Sequence, residues 1–228
     1  MKNEGLFLIR LAIEAILIMF AGKMGKAYLY AVMTINLILV PIFGQKIITI
    51  YGIETNGGNT FYATAILCFA MIIEKYGRQE FMPAIALVIF SVGSYIALSF
   101  LSTYIPAINV DTGNLIAEVF HFTPKIMLAS LVAFAATSTF FVLFYDIYKN
   151  KFEKYLVFNL ITCVVIVQAI DSLIFFFIAF YGTLPMRELL IAMLFGFIMK
   201  SIISFGLIPF VMIGLSKSVL IKKFKINL

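Results

Sequence analysis

Charged residues are scarce in this chain of 228 residues, at 12% of the sequence against 63% hydrophobic residues. A soluble domain carries about 25% charged residues, and a chain this apolar could not cover its surface with polar groups in water. The composition therefore excludes an ordinary soluble globular protein and indicates the lipid bilayer as the surrounding medium. No stretch of the chain has the composition of a separate soluble domain.

Cysteine and histidine are also nearly absent. The two cysteines, Cys68 and Cys163, lie in apolar runs without a CxxC or Cys/His pattern, which favours small buried side chains over a disulfide or metal site. His121 is the single histidine, so a multi-histidine metal site is excluded. HExxH, GxSxG and P-loop motifs are missing as well, and the sequence predicts neither an enzyme nor a bound cofactor.

Long apolar runs dominate what is present. A bilayer-spanning helix needs about 20 mostly apolar residues, and the sequence predicts an all-α membrane protein with one polytopic domain. Its predicted helices are 5–22, 27–50, 60–76, 82–105, 125–147, 155–181 and 187–214. The third run is short, which predicts either a re-entrant segment or a helix that extends through Asn59 against protein rather than lipid.

Lysine and arginine are distributed unevenly among the connecting segments. Segments 23–26, 75–80 and 148–154 and the C-terminal tail hold most of the basic residues, and the positive-inside rule places them in the cytoplasm. The chain is thus expected in the cell membrane, with the N-terminus outside and the C-terminus cytoplasmic. This bias, with attraction to anionic lipid, explains the net charge of +6, so no nucleic-acid partner is expected.

Two charges interrupt the first run. Arg10 and Glu14 are four residues apart, so they can pair on one face of a spanning helix. The alternative is a helix that lies flat in the membrane interface. The remaining six runs form two sets of three, and because each set has an odd number of helices, the two sets run in opposite directions. That is the geometry of an inverted repeat.

The run 155–181 contains an aspartate near its centre. A charge near the middle of the bilayer costs about 2.5–3.5 kcal/mol on insertion scales, so Asp171 must face protein or water and be paired or protonated. Gln168, Asp171, Ser172 and Phe175 fall on one broad helix face, which offers an amide, a carboxylate and a hydroxyl beside an aromatic ring. A structural hydrogen bond to a neighbouring helix is the alternative interpretation.

Lys200 lies near the middle of the last run, thirteen residues from either Arg187 or Ile213. From there its side chain cannot easily reach the interface. Asp171 on the preceding helix is the predicted partner, because pairing partly relieves the desolvation penalty of both charges. Such a pair could be purely structural, or it could open when a substrate or a proton arrives.

Three further polar residues lie nearer the ends of predicted helices. Glu74 lies at the cytoplasmic end of the third run, where a solvated helix-end charge is the alternative. Asn59 could act as the N-cap of the same run, and Glu118 lies on the outer side near a helix start. Polar residues on several different helices suit a binding cavity better than a hydrolytic centre.

Several stretches together resemble the queuosine precursor transporter family, also called the VUT family. They are the TNxGNxFYA pattern at 55–63, EKYG at 74–77, TPKIMLAS at 123–130 and QAIDSLIFFFIAF at 168–180. Lys200 and Pro209 match a lysine and a proline of the last helix of the family. The resemblance covers roughly residues 30–214.

The resemblance implies a six-helix transporter core, to which the helix 5–22 is additional. It also implies import of cyano- or aminomethyl-deazaguanine, or of queuine, for tRNA modification. Our own hypothesis is that two halves rock around a site near the middle of the membrane and so give alternating access. We expect Asp171 and Gln168 to hydrogen-bond the base and Lys200 to balance the acid in the empty site. The stacking partners would be Phe175, Phe61 and Tyr62, and the approaches would be lined by Asn59, Glu74 and Glu118.

Two departures from the family pattern bear on the substrate. Ala70 stands where family members usually have an aspartate, and the segment STFFVLFYDIYK lacks an acidic residue that is often found in its middle.

Other functions stay open beside this one. One is the substrate-binding subunit of an energy-coupling-factor vitamin transporter, for which the alanines of LAIEAIL, Ala12 and Ala15, are a weak match. Another is a non-transporting membrane scaffold, which would bind no small molecule. Association into a homodimer or with a coupling-factor module also stays open.

Overall fold

The computed structural model of the chain describes residues 3–108, 110–121, 123–151 and 156–216. Within them the protein is a helical bundle with one small β-hairpin, and the predicted all-α membrane fold is confirmed. The helices are α1 (Asn3–Met24), α2 (Lys26–Gly44), α3 (Asn59–Tyr76), α4 (Phe81–Thr103), α5 (Val110–His121), α6 (Thr123–Lys151), α7 (Leu156–Phe180) and α8 (Met186–Leu215). The hairpin consists of β1 (Ile47–Ile50) and β2 (Ile53–Asn56).

Six helical segments of the described chain are long and apolar enough to cross a bilayer. They are Asn3–Met24, Lys26–Gly44, Arg78–Thr103, Lys125–Tyr148, Leu156–Phe180 and Met186–Leu215. Large apolar side chains such as Phe90 and Leu98 are exposed on the outside of the bundle, as a lipid-facing surface requires. The chain is therefore a multi-pass membrane protein.

The helix α3 lies at the centre of the bundle. Every residue from Asn59 to Ile73 is buried, and the helix packs against α1, α2, α6, α7 and α8. A helix enclosed by protein needs no lipid-facing surface, so it can be shorter and less apolar than its neighbours. Of the two alternatives for this run, the structure supports a helix that extends through Asn59 against protein.

The predicted helix 27–50 is wrong beyond Gly44, where α2 ends. The strands β1 and β2 follow and pair antiparallel. Tyr51 and Gly52 form the two-residue turn between them with φ angles of 49° and 79°, the left-handed backbone that such turns require. A short run of isoleucine and threonine is as apolar as a membrane helix but favours a strand, so hydropathy alone could not separate the two.

The glycines that follow the hairpin hold it close to the end of α2. A Cβ atom on Gly58 would lie 2.8 Å from the carbonyl oxygen of Val40 and 3.1 Å from the Cα of Gly44. The Asn56 side chain closes the same junction: its amide donates to the Gly44 carbonyl, and its Oδ1 accepts from the Gly58 N–H at 2.6 Å. The TNxGN pattern therefore has a structural role in joining α2 to α3.

We expect Gly58→Ala to lower the free energy of unfolding by about 1–3 kcal/mol, because the added methyl group overpacks against backbone atoms that cannot rotate away. Gly93→Ala in α4 is the matched control, since a Cβ there meets no atom within 4 Å and alanine is the better helix former. Thermal unfolding of the two purified variants in detergent checks this expectation. Equal unfolding temperatures for both variants would contradict it.

The helices α1 and α8 run in the same direction. A Cβ on Gly206 would lie 3.9 Å from a methyl group of Leu11, and one on Gly22 would lie 2.9 Å from the Cα of Gly214. The later residue of α1 thus meets the later residue of α8, as in two parallel helices. Because α1 packs along α8, α2 and α3, it is a member of the bundle, which favours the spanning interpretation over a helix lying flat in the interface.

Several charged side chains gather at the end of the bundle where Gly22 meets Gly214. The polar contacts there are Lys75 Nζ to the Gly22 carbonyl at 2.6 Å, Lys26 to Glu80 at 3.0 Å and Arg78 to Asp146 at 2.7 Å. Segments 23–26 and 75–80 therefore lie on one side, as the distribution of basic residues predicts. That this side is the cytoplasmic one stays a prediction, as does the inverted relation of the two halves.

The amphipathic helix α5 was not predicted, since residues 110–121 read as a connection between two spans. It packs against α4 and α6. Glu118 belongs to this helix, but its side chain lies outside the described part of the structure. Its expected place at an approach to the site therefore stays a prediction.

Candidate functional site

A buried ion pair joins α7 to α8 in the middle of the bundle. The ammonium group of Lys200 contacts the Asp171 Oδ2 atom, and the two side chains are 4% and 1% exposed. Lys200 is about 20 Å from either end of α8 at 1.5 Å per residue. The predicted pairing of these two residues is present. Neither charge reaches water, so each depends on the other and on nearby dipoles for stabilisation.

Aromatic rings surround the Lys200 ammonium on the sides that Asp171 leaves open. Its Nζ lies 4.6 Å from the ring centroid of Tyr62, 5.4 Å from that of Phe175 and 5.9 Å from that of Phe176. The faces of aromatic rings attract cations, and this attraction is strongest where water is excluded. We call these three rings together with the Asp171–Lys200 pair the central site.

The hydroxyl of Tyr62 ties the central site to α6. It lies 3.0 Å from the Thr137 Oγ1 atom, and it also lies beside the Asp171 carboxylate. Thr137 Oγ1 lies within hydrogen-bond distance of the Ala133 carbonyl, at 2.7 Å, as well as of Tyr62, and either hydroxyl can be the donor in the bond between Thr137 and Tyr62. Four helices, α3, α6, α7 and α8, therefore contribute to the position of the site.

Polar atoms around the pair have hydrogen-bonding capacity left over. Gln168 donates through Nε2 to Ser204 Oγ at 3.2 Å, but its Oε1 has no hydrogen-bond partner among the described residues. Asp171 Oδ1 and Ser172 Oγ likewise have no hydrogen-bond partner within the described ranges. Buried polar atoms are normally satisfied, so a group of unsatisfied ones on one helix face indicates a place for a ligand or for water.

The structure brings together five of the predicted site residues from α7 and α3, namely Gln168, Asp171, Ser172, Phe175 and Tyr62, with Lys200 of α8. Phe61 is different: its ring lies under the Arg10 guanidinium, 3.6 Å from the centroid, so it faces α1 and not Lys200. The expectation that Phe61 stacks in the same site is therefore wrong.

Glu74 and Asn59 lie outside the central site. Glu74 accepts a hydrogen bond from Tyr145 and is twelve residues beyond Tyr62 on α3, which corresponds to about 18 Å. Asn59 is the first residue of α3 after the N-cap Gly58, so its expected role as the N-cap is wrong. Its amide donates instead to Thr55 Oγ1 at 2.9 Å. Their expected places along the approaches stay predictions.

Three residues of the site were missed by the sequence interpretation. Ser204 lies four residues after Lys200 and therefore on the same helix face, a spacing that could have revealed it. Thr137 lies in AATSTF, a polar interruption of an apolar run. Phe176 directly follows Phe175, and neither spacing nor composition distinguishes it from other phenylalanines. Ala70 is fully buried in α3. Because the residue is an alanine, this position supplies no carboxylate to the site.

Comparisons with known proteins identify the family of the chain. A family model described as "Putative vitamin uptake transporter" matches residues 56–214, more than two thirds of the chain. A "Probable queuosine precursor transporter" of Bacillus subtilis (strain 168) is 23% identical over 201 residues, which cover 86% of each protein. No solved structure matches the chain significantly. The matched region contains every residue of the central site, and the chain belongs to the VUT family, which is the family of this "Putative vitamin uptake transporter" model.

Proposed function

We propose that this protein imports a queuosine precursor, or a closely related deazapurine base, by alternating access around the central site. The observation that carries the proposal is the buried Asp171–Lys200 pair with its three rings and unsatisfied polar atoms. Membership of the VUT family supports membrane transport. The name of the Bacillus subtilis relative supports the class of substrate.

The chemistry of a deazaguanine fits the groups present. Its amino and ring N–H groups form a donor edge that a carboxylate such as Asp171 accepts, and the free Oε1 atom of Gln168 is a further acceptor. Its flat ring suits stacking on Tyr62 and Phe175. The cationic aminomethyl group would in addition be attracted by the faces of these rings. A base that hydrogen-bonds the free Asp171 Oδ1 atom can leave Lys200 on Oδ2, so the ion pair stays intact when a neutral base binds.

Transport also requires that the site opens to each side in turn. At the end near Gly22, Lys26–Glu80 and Arg78–Asp146 join the ends of different helices. Exposed ion pairs of this kind contribute about 0–1 kcal/mol each, so they can separate during a conformational change without a large penalty. With the N-terminus outside, this end of the bundle is the cytoplasmic gate.

The proposal includes no covalent step. Of the two alanines named for the energy-coupling-factor alternative, Ala15 is buried inside the bundle and Ala12 is exposed on its surface. The placement of this motif therefore leaves that alternative open.

Ligand-induced stabilisation of the purified protein tests the substrate class. At one hundred times its dissociation constant a ligand stabilises by about 2.7 kcal/mol, which corresponds to a rise in unfolding temperature of about 5–10 °C for a chain of this size. We expect such a rise with cyano-deazaguanine and with aminomethyl-deazaguanine. Stabilisation by a vitamin and not by either deazaguanine would favour the coupling-factor subunit. No response to any compound would favour a scaffold.

A further inference from the structure

A second cluster of buried polar groups lies between α1, α2 and α3. At its centre is Glu14, which is 4% exposed and about 15 Å from either end of α1 at 1.5 Å per residue. The Asn36 amide of α2 and the Thr64 hydroxyl of α3 lie beside its carboxyl group. Thr64 and Tyr62 lie on different faces of α3, because two residues turn a helix by about 200°. The central helix therefore carries one polar site on each side.

Arg10 and Glu14, the two charged residues of this second cluster, attract each other but are not joined by a hydrogen bond. The Arg10 guanidinium lies over the Phe61 ring instead, 3.6 Å from its centroid. Among the described residues, Arg10 Nε and Nη2 and Glu14 Oε2 have no hydrogen-bond partner. The predicted Arg10–Glu14 pair is thus only partly formed, and a structural role alone would leave these buried atoms unexplained.

A carboxyl group held away from water without a contacting cation is stabilised by binding a proton. Besides Arg10 on its own helix, the titratable group that faces Glu14 in the part of the chain that the structure describes is the Cys68 thiol of α3. From α2 the facing group is the neutral Asn36 amide, and β1 has no titratable side chain. The helix α8 also packs against α1, and the charged residue in its middle is Lys200, which forms its ion pair with Asp171 and not with Glu14.

We propose that Glu14 is the proton-carrying group of a proton-coupled transporter. A proton from water on one side binds the Glu14 carboxylate and forms the neutral acid, and after the conformational change it returns to water on the other side. No other bond forms or breaks. The inference rests on the proposed transport function and deepens it by naming the coupling ion.

The placement of the two sites favours symport. Because the central site and Glu14 lie on opposite sides of α3, substrate and proton can be bound together, whereas antiport needs competition for one site. The helix α1 packs on both α3 and α8, which carry Tyr62 and Lys200. Neutralising Glu14 removes the charge that balances Arg10 and changes how α1 fits against these two helices.

Accumulation of labelled cyano-deazaguanine in vesicles that contain the full-length protein tests this inference. If one proton enters with each substrate molecule, a pH difference of one unit with the acidic side outside supports about a tenfold accumulation of substrate inside. A tenfold proton gradient and a tenfold substrate gradient each correspond to about 1.4 kcal/mol, so the first can balance the second. We expect this accumulation for the wild type and its loss when an ionophore collapses the pH difference. We also expect substrate addition to carry protons into the vesicles, seen with a trapped pH dye.

The variants separate coupling from binding. Glu14→Gln should exchange labelled for unlabelled substrate across the membrane but lose the tenfold accumulation, while Glu14→Asp should keep it. Glu188→Gln, an exposed carboxylate of α8, is the matched control and should behave as the wild type.

Wild-type vesicles that exchange substrate without responding to the pH difference would overturn the inference, as would accumulation driven by a sodium gradient. Undiminished accumulation by Glu14→Gln would overturn it too. If Glu14→Gln does not fold, the wild-type pH and dye measurements still test proton coupling, and Glu14→Ala tests the residue, since it should exchange substrate but lose the accumulation. Wild-type vesicles that exchange no substrate at all would count against the proposed function instead.

Discussion

Asp171→Asn is expected to reduce uptake of cyano-deazaguanine to less than about one hundredth of the wild-type rate. The asparagine keeps the shape of the side chain but removes the charge that compensates Lys200. Breaking a buried ion pair costs about 3–5 kcal/mol, and each 1.4 kcal/mol is about a factor of ten. The amide would also present a donor where the donor edge of the base needs an acceptor.

Uptake of the labelled base by cells that produce the protein measures this effect, with the amount of each variant in the membrane determined in parallel. Asp111→Asn is the matched control, since Asp111 is exposed at the start of α5 and the chemical change is the same. We expect the control to retain wild-type uptake. Wild-type uptake by Asp171→Asn at normal membrane levels would exclude Asp171 from the substrate site.

The second large effect concerns stability, and it arises in a double-mutant cycle on the same pair. Lys200→Met leaves Asp171 buried without its counter-ion, and we expect a loss of about 3–5 kcal/mol, as for Asp171→Asn. The double variant removes both charges and should recover most of the loss, because replacing a buried pair by neutral groups is often close to neutral. In unfolding temperature each single loss corresponds to about 6–20 °C.

Thermal unfolding of the four proteins in one detergent measures the coupling between the two residues. Additive losses would show that the pair contributes no interaction energy. The double variant also separates structure from transport, since we expect it to be folded and inactive. A double variant that is both stable and fully active would mean that Asp171 and Lys200 only compensate each other's charge and have no role in transport.

The Asp171–Lys200 pair could be predicted because buried charges have few acceptable environments. Each residue stands alone in the middle of an apolar run, and the two runs are consecutive, so the nearest compensating charge was evident without coordinates. The same reasoning failed for Arg10 and Glu14. Spacing showed that they could meet, but the packing of α1 places the guanidinium on Phe61.

Which side of a buried helix carries a site could not be predicted. Phe61 and Tyr62 are adjacent aromatic residues in α3, and both were expected to stack on the substrate. Because α3 is surrounded by protein on all sides, its sequence has no polar face to show its orientation. The neighbouring helices decide it: Lys200 of α8 lies against Tyr62, while Arg10 of α1 lies against Phe61.

The hairpin after α2 shows a different limit of hydropathy. Isoleucine is abundant in both membrane helices and strands, so Ile47 to Ile50 continued the apolar run without a visible break. The signals for a turn were Tyr51-Gly52 and the glycines at 57 and 58, but a Tyr-Gly pair also closes helices elsewhere in the chain. Only the backbone angles of the turn separate the two cases.

Exchange of labelled cyano-deazaguanine by the purified protein, alone in lipid vesicles, tests the central claim most directly. Vesicles loaded with unlabelled base should take up the labelled base rapidly, without ATP or any other subunit. The Asp171→Asn protein should show no more uptake than empty vesicles. Wild-type vesicles that exchange no deazaguanine, or that do so only with an added ATPase module, would contradict the proposal that this chain is itself the transporter.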